Sequence, residues 1–139
     1  MRPIKFRAWK DGIKYNVRTL AWHRENIVNI LVYDGTPEGK WLCSWDALEQ
    51  FTGMHDKNGV EIYEGDVLRK DWAETFNYYE IEFKDGAWLA FEMINFRHGS
   101  PIVSEFNALP GCLPRSMWKF AKVIGNIHDN PDIHETLMK

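Results

Sequence analysis

Residues 50–68, QFTGMHDKNGVEIYEGDVL, decide the fold of this chain because they contain a strand, a tight turn, a second strand and a corner. Asp56 and Gly59 occupy the first and fourth positions that a type I turn favours. Asn58 and Gly59 are alternatively the central pair of a two-residue hairpin turn, because both residues tolerate positive φ. Either turn predicts a β-hairpin.

The two turns differ in the register that they impose on this hairpin. The type I turn places Met54 opposite Ile62, and the two-residue turn places Met54 opposite Tyr63. Both pairs are apolar, so the register stays open. Gly65 and Asp66 then form a corner before the next strand, because glycine is common where a strand bends sharply.

A second hairpin is predicted at the N-terminus, where Asp11-Gly12 is a type I′ turn signature. The resulting register separates the side chains into two faces. The apolar face, expected in the core, consists of Ile4, Phe6, Ala8, Tyr15 and Val17. The basic face consists of Lys5, Arg7, Trp9, Lys14 and Arg18.

The basic face has several interpretations. Its cations could neutralise phosphates while Trp9 stacks on a base, which makes it the best nucleic-acid candidate in the sequence. The interpretations that we favour are an ordinary solvated strand face, in which Trp9 covers the stem of Lys14, or a contact with the acidic segment of another subunit.

The remaining sequence also indicates strands. Residues 26–33 are rich in β-branched side chains, residues 78–91 form a hairpin around Asp85-Gly86, and residues 119–127 form a closing strand. Residues 93–118 form a long connection, which is either functional or mobile. We predict a mainly β fold, in which antiparallel hairpins form a small SH3-like barrel with an N-terminal β-hairpin extension and little helix.

Length and composition indicate one compact unit. The 139 residues are predicted to form a single unit, with an N-terminal β half at 1–47 and a small-barrel half at 48–139. No apolar run is long enough to span a membrane, and no signal peptide is expected. Cys43 and Cys112 lack a metal or redox spacing, so they are expected to be reduced, and the protein is expected to be cytoplasmic.

The charges are segregated along the chain. Residues 1–24 contain seven basic side chains and one acidic side chain, a net charge of +6. Residues 46–92 contain four basic and twelve acidic side chains, a net charge of −8. Complementary surfaces of this kind can pair within one molecule or between subunits. We expect a homo-oligomer in which the basic face meets a neighbour's acidic surface and covers a strand edge.

No stretch has the pattern of a catalytic, cofactor or metal site. His128-Asp129-Asn130-Pro131-Asp132-Ile133-His134 has potential ligands but is a proline-broken tail. His55-Asp56 lies at a turn tip, and Glu61, Glu64 and Asp66 are interpreted as surface charge and corner capping. We therefore expect no metal and no cofactor and favour a non-enzymatic protein.

Three stretches together resemble the YopX-like proteins of bacteriophages and prophages. They are residues 1–9, MRPIKFRAW, residues 50–67 with their DKNG and IYEGD segments, and residues 123–127, VIGNI. The resemblance implies phage or prophage origin, a cytosolic setting in a bacterial host and self-association. It implies no activity and no catalytic residues.

Three hypotheses for function follow. The leading one is a non-enzymatic, oligomeric interaction module that acts on a host or phage partner. The second is a small β-barrel that binds nucleic acid through the basic N-terminal hairpin, and the third is an enzyme with an unrecognised site. No membrane interaction is expected.

Overall fold

A computed structural model describes residues 4–71, 73, 76–92, 96–97, 100–101 and 112–130 of the chain. The chain divides into two compact units, Met1–Phe51 and Thr52–Lys139. The sequence-based division at residue 48 and this boundary at residue 52 both fall inside one long strand.

The first unit is built on an antiparallel sheet with the strand order β4-β3-β2-β1-β5-β6. Its strands are β1 (Phe6–Lys10), β2 (Ile13–His23), β3 (Asn26–Val32), β4 (Lys40–Leu42) and β5 (Ala47–His55), and β5 continues across the boundary to pair with β6 (Glu61–Tyr63). Strands β4 and β6 are the edges of this sheet.

The predicted N-terminal hairpin and its register are confirmed. Arg7 lies opposite Asn16 and Trp9 lies opposite Lys14. The turn has φ angles of 53° at Asp11 and 78° at Gly12, the left-handed pair that a type I′ turn requires. The hairpin is not an extension, however, because β1 also pairs with β5 along its other edge.

The core of the first unit lies on the apolar face of this hairpin. Ala8 is fully buried, and Tyr15 and Val17 pack against buried Ile30 and Val32 of β3. Ile4, which was expected in the core, is instead exposed because it precedes the first residue of β1.

Strand β2 continues past the predicted hairpin as far as His23 and contains a β-bulge. Val17 pairs with Val32, whereas Thr19 pairs with Leu31, so Arg18 is an extra residue on β2. A bulge of this kind twists the strand and redirects a side chain. This strand continuation and its bulge were not predicted from the sequence.

The second unit contains a five-stranded antiparallel sheet in the order β12-β9-β8-β7-β13, and a separate pair, β10-β11. Its strands are β7 (Asp66–Asp71), β8 (Phe76–Lys84), β9 (Ala87–Glu92), β10 (Phe96–Arg97), β11 (Ser100–Pro101), β12 (Cys112–Leu113) and β13 (Lys122–Asn126). The predicted β8–β9 hairpin is confirmed, with Phe83 opposite Trp88 and Ile81 opposite Ala90.

The core of the second unit is centred on Trp118. This side chain is fully buried among the residues of the inner sheet face, and its indole Nε1 donates a hydrogen bond to the carbonyl oxygen of Leu113 at 3.0 Å. It lies in a short 3₁₀ helix, Arg115–Phe120. Burial of one such ring stabilises the fold by about 3 kcal/mol. Most of the predicted 93–118 connection lies outside the described residues.

The prediction of a mainly β fold with little helix is confirmed, since the 3₁₀ helix is the one helical element of the described part of the chain. The strands described form open sheets with free edges, and no barrel is closed among them. The SH3-like architecture therefore stays a prediction.

Candidate functional site

Glu49 is a buried carboxylate that holds two side chains of β1. Its Oε1 atom accepts a hydrogen bond from Nε of Arg7 at 2.8 Å and another from the indole Nε1 of Trp9 at 2.6 Å. Charge-assisted bonds of this kind are stronger than neutral ones. The buried guanidinium is therefore paired, as a buried charge must be.

This arrangement corrects the predicted exposed face. Arg7 and Trp9 are only 7% and 4% exposed, whereas Lys5, Lys14 and Arg18 are exposed. The prediction of solvent exposure was wrong for Arg7 and Trp9 because it assumed that one face of the hairpin packs in the core and the other contacts water. Strand β1 lies between β2 and β5, and β5 places the carboxylate of Glu49 beside Arg7, on the face of β1 that was expected to contact solvent.

Asp56 organises the turn of the central hairpin. Its Oδ1 accepts hydrogen bonds from the backbone N–H groups of Asn58 at 2.8 Å and Val60 at 2.9 Å, and its Oδ2 accepts one from Val123 at 2.9 Å. The amide of Gly59 donates to the carbonyl oxygen of Asp56 at 3.1 Å, which is the bond of a type I turn. One side chain thus fixes the turn and attaches β13 to it.

Asp66 plays a similar part at the corner after β6. Its Oδ2 accepts a hydrogen bond from the backbone N–H of Tyr63 at 2.8 Å, and its Oδ1 accepts one from Nδ2 of Asn126 at 3.1 Å. Gly65, at a φ of 83°, donates its N–H to the carbonyl oxygen of Ile81 at 2.8 Å. The corner is held to β8 and β13 by these bonds.

Glu80 and Glu82 form a pair of carboxyl groups on the opposite face of β8 from the core. Burial, and then the hydrogen bond and charge of Glu82, raise the pKa of Glu80 from 4.5 to about 7. Its cross-strand neighbours are the apolar Val67 and Phe91. The side chain therefore exchanges a proton near neutral pH.

One surface of the first unit combines aromatic and basic side chains on one side of strands β2, β3 and β4. The side chains of Thr19, Leu31 and Trp41 lie in one row across the three strands. Tyr33 is two residues beyond Leu31, and its N–H donates to the carbonyl oxygen of Asn16, so its side chain points to the same side. The rings of Tyr33 and Trp41 are 55% and 56% exposed.

The cations of this surface come from β2. Arg18, the extra residue of the bulge, places its guanidinium carbon 5.9 Å from the centroid of the Tyr33 ring and donates a hydrogen bond to the carbonyl oxygen of Pro37 at 3.0 Å. Lys14 is exposed on the same side as Asn16. We call Lys14, Arg18, Tyr33 and Trp41 the basic-aromatic face.

The other sequence candidates belong to other elements of the chain. Glu61 accepts a hydrogen bond from the hydroxyl of Tyr63 at 3.5 Å, and His55 ends β5 beside the turn. His134 and Asp132 lie outside the described residues, in which no group of three or more potential metal ligands occurs. No helix in the described part of the chain is long and apolar enough to cross a membrane.

Comparison with known proteins identifies the family. The family model described as YopX protein matches residues 5–135, nearly the whole chain. The chain belongs to the YopX family. A solved structure titled "Crystal structure of protein EF1440 from Enterococcus faecalis" is similar to this YopX chain, with 29% sequence identity and a TM-score of 0.64 over 96% of this chain and 99% of that chain. No curated protein matches.

The three stretches that resemble YopX proteins hold the buried polar groups described above. The first contains Arg7 and Trp9, the second contains Asp56 and Asp66, and the third contains Asn126. The hydrogen bonds described above join these side chains to other groups of the fold. In this YopX chain the recognisable residues therefore serve the architecture, and the basic-aromatic face lies in the part of the sequence between the stretches.

Proposed function

We propose that this YopX protein is a non-enzymatic interaction module of phage or prophage origin, which works as a homo-oligomer on a host or phage partner in the bacterial cytoplasm. The observation that carries the proposal is the structural role of Asp56 and Asp66, which lie in the central stretch that resembles YopX proteins. Asp56 and Asp66 bind backbone amides and a buried amide side chain. These carboxylates hold the fold together, which leaves the exposed surfaces as the route to function.

Exposed apolar side chains support association. In the second unit Phe76, Phe83 and Phe120 are about half exposed. Large rings are enriched where proteins contact one another, because they bury much area with few rotatable bonds. Contact between copies would remove these rings from water.

Charge supports the same proposal. The N-terminal 24 residues carry a net charge of +6 and residues 46–92 carry −8. Lys5 and Lys14 remain exposed on the first unit, and Glu82 remains exposed on the second. Basic and acidic surfaces on different copies would attract each other and set the register of the assembly.

Sedimentation velocity of the purified protein at about ten micromolar in low salt tests self-association. We expect an oligomer that Lys5→Glu with Lys14→Glu weakens and that high salt also weakens, because both treatments reduce the attraction between surfaces. Arg7 is left unchanged, since its substitution by glutamate would place a second carboxylate beside buried Glu49.

The matched control is Lys119→Glu, which reverses an exposed cation of the second unit and leaves the N-terminal segment intact. We expect this variant to sediment as the wild type does. A wild-type monomer at low salt would contradict the proposal, as would equal weakening by the control. Affinity capture from phage-infected cells with the wild type and the double variant would then identify the partner that needs the basic surface.

A further inference from the structure

We infer that the basic-aromatic face is a binding site for single-stranded nucleic acid. This inference goes beyond the proposed function and does not depend on it, because its test measures oligonucleotide binding and not self-association.

The two rings are placed as neighbours on a pleated surface. Trp41 lies directly opposite Leu31, and Tyr33, the residue after the end of β3, is two positions from Leu31 on the same side, so Tyr33 and Trp41 are diagonal cross-strand neighbours. Such neighbours have Cα atoms roughly 7–8 Å apart. Both residues are more than half exposed, so the ring surface that the Arg18 guanidinium does not cover is available to successive bases of one strand.

The charge on this side of the sheet favours phosphate. Lys14 and Arg18 are exposed cations, and the intervening positions of the face are filled by Asn16, Thr19 and Leu31, which carry no charge. Two carboxylates lie near this face. Asp34 follows Tyr33, and its Oδ1 accepts hydrogen bonds from the N–H and the hydroxyl of Thr36, while Glu49 lies on the same side of the sheet as Asn16, where it is buried and paired with Arg7. Phosphates near the rings would therefore meet cations on the strands themselves.

The rings indicate a single strand and not a duplex. Bases in a duplex are stacked on one another, so an aromatic side chain on a flat sheet cannot reach their faces. Bases of a single strand are free to stack on exposed rings, and this contact does not depend on the base. A protein partner would also bury the rings, and the test below distinguishes it.

The test is fluorescence polarisation with a fluorescein-labelled oligothymidine of about 20 nucleotides, with the full-length protein at low salt. We expect binding by the wild type. Trp41→Ala and Tyr33→Ala should each weaken it roughly ten- to hundredfold, because each removes one stacking contact. Arg18→Gln should make the negative slope of log K against log salt less steep by about 0.7, because one phosphate contact is lost.

The matched control is Trp22→Ala. Trp22 is 60% exposed on the same strand as Arg18, but it lies opposite Ile27, which packs with Leu20 against the core of the first unit, so Trp22 is on the core side of the sheet and away from the basic-aromatic face. We expect its affinity for the oligonucleotide to stay within about twofold of the wild type. Circular dichroism of every variant verifies that the fold is retained.

Two distinct results would overturn the inference, and a third observation would say what the face does instead. The first is no binding of the oligonucleotide by the wild type at low salt. The second is equal loss in Trp41→Ala and Trp22→Ala, or no loss in either, since the rings would then not form the site. The third is loss of self-association in the Tyr33 and Trp41 variants with no oligonucleotide binding by the wild type, which would assign this face to contact between copies.

Discussion

Replacing buried Glu49 should destabilise the protein more than replacing an exposed residue or a turn residue. The carboxylate is 2% exposed and pairs with the guanidinium of Arg7, which is almost as deeply buried. Removal of one member of a buried ion pair leaves the other charge without compensation, at a cost of about 3–5 kcal/mol. We expect Glu49→Ala to lose stability in that range, because the Trp9 indole N–H also loses its acceptor.

Two matched variants separate the charge from the hydrogen bonds. Glu49→Gln keeps an acceptor oxygen for both donors and removes the negative charge, so we expect a smaller loss of about 1–2 kcal/mol. Arg7→Met with Glu49→Leu removes both charges together. Because no buried charge is then left unpaired, the double variant should be more stable than Glu49→Ala alone.

Urea unfolding followed by tryptophan fluorescence and by far-ultraviolet circular dichroism measures these differences. Two probes are needed because the chain has two compact units, and coincident curves justify a two-state free energy. A Glu49→Ala variant within about 0.5 kcal/mol of the wild type would refute the reasoning. A Glu49→Gln variant as unstable as Glu49→Ala would show that the lost charge, and not the lost hydrogen-bond acceptor, causes the destabilisation.

Three further outcomes are expected. Asp56→Ala should cost about 2–4 kcal/mol, because three backbone amides lose their acceptor, and Asp56→Asn should cost less; urea midpoints measure both. Gly59→Val should lower the free energy of unfolding by more than about 1 kcal/mol, because a β-branched residue is strained at a φ of 78° even though no other atom would contact its Cβ. Asn16 is exposed, so Asn16→Val should change the stability by less than about 0.5 kcal/mol. Equal urea midpoints for the two variants would contradict this prediction. In the folded state the pKa of Glu80 is raised from 4.5 to about 7, so the folded state binds more protons than the unfolded state between these pH values, and stability should fall as the pH rises from 4.5 to 7. Urea midpoints at about pH 5 and about pH 8 measure this fall, and Glu80→Gln should reduce the difference between them.

The hairpins were predictable because their turns are encoded locally. Asp11-Gly12 and Asp85-Gly86 each fix a two-residue loop, and alternation then determines which residues pair. The open choice at the central hairpin is resolved by the bond from the amide of Gly59 to the carbonyl oxygen of Asp56, which selects the type I turn. Each of these features depends on a few adjacent residues.

The features that were missed depend on residues far apart in the chain. The burial of Arg7 follows from a carboxylate 42 residues away on β5, which no local pattern shows. The basic-aromatic face requires the pairing of β3 with β4, which brings Tyr33 and Trp41 to one side, and the bulge in β2 at Arg18, whose guanidinium lies over the Tyr33 ring. The hairpin alone suggested Trp9 as the stacking ring, but the sheet buries it.

Buried and exposed residues of this chain have different roles, and this difference decides which substitutions can locate its binding surface. Arg7, Asp56 and Asn126 lie in the stretches that resemble YopX proteins and form hydrogen bonds within the fold, so their substitution would lower stability and reduce any activity without changing an exposed surface. Loss of function in such variants would therefore not locate the site. Substitutions of exposed residues such as Lys14 and Trp41 leave the buried bonds intact, so a loss of binding in those variants reports on the surface itself.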